Sequence, residues 1–185
     1  MRRLIQLAGI SGVGKSSLLK LVRDYSFGIS VIDFGEEYRA WSSQTKKTPL
    51  DGLPDQPCLR QFIDECIFKR EPAIVSSHVV HYHNGRFMDD AEVEIYMDAA
   101  VYVVLVSDPE EIKGRRLKDW MEGVKRRPVQ DIGIIQQHQE LTITTTNEIA
   151  KVIGASVYVI TNHEGKLQDT FEELRPIIEW IKWNR

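Results

Sequence analysis

Short runs of apolar, often β-branched residues recur along the chain: Leu4 to Ala8, Ile29 to Ile32, Ala73 to Val75, Val101 to Val106 and Val157 to Ile160. Within each run the apolar positions are continuous rather than alternating, as strands buried on both faces of a parallel sheet require. Between the runs the spacing changes to threes and fours. Leu18, Leu19 and Val22 form one inward stripe; Leu59, Phe62, Ile63, Cys66 and Ile67 form another; Leu167, Phe171, Leu174, Ile178 and Ile181 close the chain. Strand and helix in alternation predict an α/β fold, a five-stranded parallel sheet with helices on both faces. Ligands of such folds bind beyond the carboxyl ends of the strands. The segments expected to carry chemistry are therefore the loops 9–16, 33–39, 76–90, 107–110 and, at a longer reach, 122–133.

Composition narrows the picture without changing it. A chain of 185 residues suits one domain with a full core. The formal net charge of -3 gives no global attraction for nucleic acid or membrane, so any affinity for phosphate has to be local. Cys58 and Cys66 are eight apart on a helical pattern, which matches neither a disulfide framework nor a zinc spacing; two buried, reduced thiols are expected. Arg2 and Arg3 precede an apolar run that leads straight into a glycine motif, the pattern of a first strand rather than a signal peptide. No run reaches the length of a membrane-spanning helix, and a cytoplasmic enzyme without a membrane partner is expected.

The candidate chemistry begins with Gly9-Ile10-Ser11-Gly12-Val13-Gly14-Lys15-Ser16, which reads G-x-x-x-x-G-K-S. Gly9, Gly12 and Gly14 let the backbone turn successive N–H groups, that of Val13 among them, toward phosphate oxygens. Lys15 reaches the β- and γ-phosphates in such a P-loop, the Ser16 hydroxyl ligates Mg²⁺, and the helix that starts here adds its positive end. Ser17 borders the phosphate site, with its side chain facing solvent or capping the helix. The expected ligands are ATP and Mg²⁺.

The loop alone does not separate kinases from other nucleotidases. A base-reading N-K-x-D element would follow a late strand in a GTPase, whereas here Thr161-Asn162-His163-Glu164-Gly165 lacks the lysine and the aspartate. Further segments fall in order: Ile32-Asp33-Phe34-Gly35, Ile74-Val75-Ser76-Ser77-His78, Arg115-Arg116-Leu117, Gln137-His138-Gln139 expected to open a helix, and Gly154-Ala155. With the P-loop, they make the chain resemble the adenylate kinases, more closely their archaeal type, over nearly its whole length. The resemblance implies a nucleoside monophosphate kinase fold with a short lid, transfer from ATP to a monophosphate (AMP first), and a homo-oligomer, typically a trimer. On this basis residues 1–185 form a single P-loop kinase domain with an acceptor-binding segment at about 34–70 and a lid at about 115–133. The chain departs from the family at three places. Ser76 stands where the family has an aspartate, Val79 to Arg86 replaces a lysine and proline-glycine loop, and Lys125-Arg126-Arg127-Pro128 replaces R-x-R-D.

Candidate site residues follow from both lines. Gly35-Glu36-Glu37-Tyr38-Arg39 resembles the G-D-x-x-R element whose arginine holds the acceptor phosphate, a task suited to a planar, permanently charged fork; a surface arginine on a helix is the alternative for Arg39. Arg60 is read as a surface residue. Arg115, Arg116, Lys125, Arg126 and Arg127 place five cations in thirteen residues, which a closing lid would bring to the charge of a moving phosphoryl group. Arg116 and Arg127 are the first choices there and Arg126 the third; a solvated basic face or an RNA contact is the alternative. Asp33, at the end of a strand, either assists Mg²⁺ or the acceptor or caps the next helix. Asp108, before a proline, reads as a cap. His78 matches the family histidine and is assigned to acceptor contact, while His81 and His83 lack the carboxylate or cysteine spacing of a metal site. His138 reads as a packed residue, and Trp120, Trp180 and Trp183 as core, with an interface or a lid hinge as the alternative for the tryptophans. The rival functions are a kinase acting on a hydroxyl with Asp33 as base, an ATP-dependent assembly or RNA-processing factor with an RNA or protein partner, and a nucleotide-binding module with degraded catalysis.

Overall fold

Each apolar run becomes a strand of one parallel sheet. The protein is represented by a computed structural model that describes residues 2–25, 27–45, 56–123 and 129–183. The strands β1 (Arg2–Ala8), β2 (Ser30–Asp33), β3 (Ala73–Ser76), β6 (Ala99–Val106) and β7 (Ser156–Thr161) lie in the order β2-β3-β1-β6-β7. All the pairings are parallel. The register sets Asp33 beside Ser76 and Ser76 beside Leu7, so the loops leaving β2, β3 and β1 emerge side by side.

Helices cover both faces. On one face α1 (Lys15–Asp24) and α7 (Leu167–Trp183) bury Leu18, Leu19, Val22, Phe171, Leu174, Ile178 and Ile181 against Ile5, Leu7 and Val103. On the other, α3 (Gln56–Phe62), continued by a wide helical turn Ile63–Ile67 and a tight one Phe68–Arg70, joins α4 (Ala91–Met97) and the C-terminal half of α6 (Ile132–Ile153). The predicted stripes are thus the buried ones, each large side chain contributing roughly 1.5–3 kcal/mol by leaving water. The remaining helices are α2 (Phe34–Thr45) and α5 (Pro109–Met121).

Several expectations are corrected. The expected loop 33–39 is helical from Phe34, because α2 begins as soon as β2 ends. The expected loop 76–90 contains an antiparallel hairpin, β4 (Val80–His83) and β5 (Arg86–Asp89), turned by Asn84 and Gly85 at φ 49° and 79°. Paired positive φ values match the twist of a two-residue hairpin turn, which explains the Asn-Gly dipeptide. Gln137 to Gln139 lie inside α6, which opens at Ile132 rather than at Gln137. Trp120, Trp180 and Trp183 are exposed rather than packed in the core; the last two fall off the α7 stripe that packs on the sheet. Cys58 and Cys66 are half-buried thiols, not fully buried ones, and partial burial pushes the Cys66 thiol up.

Candidate functional site

The P-loop leaves β1 at Gly9 and enters α1 at Lys15. Gly9 and Gly14 cannot be replaced without strain. Both have positive φ, a Cβ on Gly9 would come within 2.7 Å of the Leu105 carbonyl, and one on Gly14 within 2.3 Å of the Asn162 amide nitrogen. Among the described residues no side chain caps α1, and no acidic residue stands in its first turn. Its first amides and its positive end are left for an anion. α5 makes the contrast. There Asp108 accepts hydrogen bonds from the amides of Glu110 and Glu111, so the cap expected at Asp108 is present.

Carbonyls of the loop are bound both by its own lysine and from outside. The buried Lys15 ammonium donates to the carbonyls of Gly9 and, at 3.3 Å, Ile10. Arg116 donates through Nε and one terminal nitrogen to the Ser11 carbonyl, at 2.9 and 2.7 Å. The Val13 carbonyl accepts from the Asn162 side-chain amide at 2.8 Å and from Arg115 at 3.4 Å. A trans peptide points its C=O and the following N–H in opposite directions, so holding the Ser11 and Val13 carbonyls turns the amides of Gly12 and Gly14 away from Arg116 and Asn162. Val13 itself is fully buried.

Behind the loop a polar network fixes these donors. Gln139 accepts from the Ser107 amide at 2.9 Å and donates to the Ser107 carbonyl at 3.0 Å. The Ser107 hydroxyl bonds both Glu111 and the Asn162 carbonyl. That hydroxyl bond, the Glu164 amide and the Arg115 guanidinium hold the Glu111 carboxyl below the usual carboxylate range.

The acceptor candidates follow the two strands beside β1: His78 after β3, and Asp33, Gly35 and Arg39 at the end of β2. Asp33 ends β2, and its Oδ1 accepts from the Glu36 amide at 3.2 Å, so it caps α2. The Arg39 guanidinium folds back over Gly35: a Cβ there would sit 3.4 Å from the arginine nitrogen and 3.6 Å from Asp33 Oδ1. Asp33, Gly35 and Arg39 are therefore one cluster, with Arg39 exposed on the first turns of α2. His78 lies between β3 and the hairpin, its ring 5.6 Å from that of His81, which pairs with Asp90 at 2.6 Å. His138 is buried, contacts the Val80 carbonyl at 2.9 Å and stacks near Phe87, a hairpin anchor; burial lowers its pKa. Arg60 is exposed and lies over the Tyr96 ring.

At the root of the hairpin sits a group the sequence reading missed. Glu94, fully buried on α4, accepts from Ser77 at 2.8 Å and from the Gln6 amide at 3.0 Å. Burial drives its carboxyl up to about 8. Among the described residues Glu94 Oε2 and Gln6 Oε1 have no hydrogen-bond partner, as fits a side chain that carries a proton at neutral pH.

The hard oxygen donors that suit a phosphate-bound Mg²⁺ are present: the exposed Ser16 hydroxyl at the start of α1 and the Asp33 carboxylate. Among the described residues no cluster of three His, Cys, Asp or Glu side chains could hold a metal by itself. Ser17 is exposed, as expected, beside Ser16. Arg115 and Arg116 face the P-loop rather than an open rim, and Arg116 is buried at 3% exposure. Lys125, Arg126 and Arg127 lie outside the described residues, as does Pro128. Asn162 and Glu94 escaped the sequence reading because their partners are remote: 149 positions separate Asn162 from Val13, and 88 separate Glu94 from Gln6.

A family described as an AAA domain matches residues 8–136. The adenylate kinase of Thermococcus sibiricus is 30% identical to this chain, covering 95% of it and 95% of its own length. The adenylate kinase of Thermoplasma volcanium is 26% identical over 94% of this chain and 98% of its own. Shikimate kinase from Acinetobacter baumannii, solved in complex with shikimate, shares the fold with a TM-score of 0.58 at 14% identity, covering 98% of this chain and 95% of that one. Thymidylate kinase from Ehrlichia chaffeensis does so with a TM-score of 0.50 at 13% identity over 95% and 97% of the two chains. At such identities these two structures speak for the fold alone.

Proposed function

Because the chain belongs to the archaeal-type adenylate kinase family of P-loop proteins, we propose that it transfers the γ-phosphoryl group of ATP to a nucleoside monophosphate, AMP first. The observation that carries this reading is the pairing, on one sheet edge, of a cradle whose Ser11 and Val13 carbonyls are held by Arg116 and Asn162 with the Asp33–Gly35–Arg39 cluster at the end of β2.

In this reading the amides of Gly12 and Gly14 and the start of α1 bind the phosphate chain, whereas the Val13 amide donates to the Ile10 carbonyl at 3.4 Å. Lys15 exchanges the Gly9 and Ile10 carbonyls for phosphate oxygens and neutralises the charge that spreads over the moving group. Ser16, and Asp33 if it reaches that far, would hold Mg²⁺ together with the nucleotide, and the ion would supply further charge neutralisation. Arg116 keeps the loop in shape through Ser11, and the family resemblance assigns further charge on the moving group to Arg126 and Arg127. Arg39 grips the acceptor phosphate and His78 borders it. A monophosphate acceptor is an anion at neutral pH, so no enzymic base is required.

A hydroxyl acceptor is the second reading. It is favoured by Ser76, buried and uncharged beside Asp33, which leaves Asp33 as the carboxylate at that strand pair. A phosphoryl-transfer screen with labelled ATP and Mg²⁺ against each nucleoside monophosphate, with Lys15→Ala as control, tests both. Lys15-dependent labelling of AMP is expected. ATP binding without labelling of any monophosphate would overturn the monophosphate reading in favour of the hydroxyl one.

A further inference from the structure

The loop after β7 reaches back to the cradle, and its contact has no place in the P-loop motif. Asn162 is 4% exposed, and its polar groups are engaged in several directions. Its side-chain nitrogen donates to the Val13 carbonyl at 2.8 Å, and its side-chain oxygen accepts from the Thr170 hydroxyl at 3.2 Å. Its backbone amide donates to Val106 at 2.8 Å, and its carbonyl accepts from Ser107 at 2.6 Å. The amide orientation is dictated by chemistry, since the Val13 carbonyl can only accept and must face the NH₂ end.

That contact has a directional consequence. Turning the Val13 carbonyl toward Asn162 turns the Gly14 N–H, across the same peptide plane, away from it and into the cradle. It also explains Gly14 sterically, because a side chain there would occupy the space of the Asn162 amide. We propose that Asn162, oriented by Thr170, is a positioning residue that aims the Gly14 amide at the phosphate chain of a bound nucleoside triphosphate. The inference rests on the proposed nucleotide site and adds to it a brace from the far end of the chain. Residues that follow the last strand of such a sheet also stand near the place for a base, so a direct base contact is the competing role.

Tripolyphosphate separates the two, because it has neither base nor ribose. Dissociation constants for ATP and for tripolyphosphate, each with Mg²⁺, would be measured by calorimetry on the full chain, its Asn162→Ala and Thr170→Val variants, and the double variant. Circular dichroism and a thermal midpoint would establish that each is folded. Asn162→Ala should weaken both ligands about tenfold, the size expected for one well-aligned hydrogen bond to the loop. Thr170→Val should weaken both by about threefold, and the double variant should lose no more than Asn162→Ala alone, because the two act through one contact. Unchanged affinities in folded variants would overturn the brace, and so would a loss seen with ATP but not with tripolyphosphate. If Asn162→Ala fails to fold, Thr170→Val decides by the same criteria. Failure of the unaltered protein to bind either ligand would instead sink the nucleotide site, and the brace with it.

Discussion

The phosphate cradle and the acceptor rim share one edge of one sheet, yet they are built in opposite ways. The cradle is held from several directions: by Lys15 within the loop, by Arg115 and Arg116 from α5, and by Asn162 from beyond β7. The rim is exposed and held by short-range contacts. Arg39 lies on the surface of α2, and His81, His83 and Arg86 line a hairpin whose contact between His81 and Asp90 is nearly half exposed. A triphosphate is the same object in every reaction of this kind, and donors fixed in advance bind it without reorganisation. An acceptor varies, and a rim with few buried ties can change with little effect on the core. The contrast teaches that the rim, not the cradle, is where this chain has room to differ from its relatives.

The cradle should therefore fail abruptly. Lys15→Ala is expected to lower the transfer rate by about a thousandfold, because it removes a preorganised charge from the place where negative charge develops. A labelled-ATP assay on folded protein checks it. Retention of more than a tenth of the rate would mean that the loop is not the catalytic cradle.

The rim has one buried root, and its failure should depend on pH. Burial holds the Glu94 carboxyl at about 8, above its ordinary value, so folding takes up a proton between the unfolded and folded pKa values. The sign follows: this contribution to stability is full in acid, declines as pH rises from the ordinary carboxylate range toward about 8, and is flat above that. Glu94→Gln keeps the shape and the Ser77 contact without titrating. Relative to that variant, the unaltered protein should lose about 1.4 kcal/mol per pH unit through the middle of the window, roughly 5 kcal/mol in all. Denaturant unfolding of both proteins at several pH values measures it. Parallel stability curves would mean that Glu94 is not a buried, proton-carrying tether.

Much of this was legible in the sequence, and what was not has physical reasons. Continuous apolar runs announced the five strands, and the P-loop announced itself, because each depends on neighbouring residues. The Asn84-Gly85 signal of the hairpin stood in plain view, but the flanking strands, with His81, His83 and Arg86 facing outward, lack the apolarity that marks a buried strand. The exposed Trp180 and Trp183 were recoverable too: Phe171, Leu174, Ile178 and Ile181 already fill the inward side of α7. Asn162 was visible as a residue but read only as a broken base-reading motif. Its partner lies at the other end of the chain, and no local pattern connects them.

A sharper test of the comparison separates the two ligands. Arg39→Ala should raise KM for the acceptor about tenfold and leave KM for ATP unchanged, since a charge-assisted contact to one phosphate is lost and the cradle is untouched. Initial-rate kinetics with each substrate varied in turn give both constants. An equal rise in both would place Arg39 in the cradle's own support rather than on the rim.

The smallest effect is expected where the rim is most exposed. The His81–Asp90 pair is short at 2.6 Å, but both side chains are about 45% exposed. A polar contact so open to water exchanges hydration for attraction at nearly equal free energy, whatever its length. The hairpin has other anchors, since Val80 is buried and Phe87 packs against His138. His81→Ala should therefore change unfolding stability by under about 1 kcal/mol and leave the affinity for ATP as it was. Equilibrium denaturation and calorimetry with ATP read the two quantities independently. A loss of several kcal/mol would show that the hairpin shares the cradle's rigidity, and a change in ATP affinity would show that the two regions are coupled. Either result would break the division of the site into a fixed half and an adaptable one.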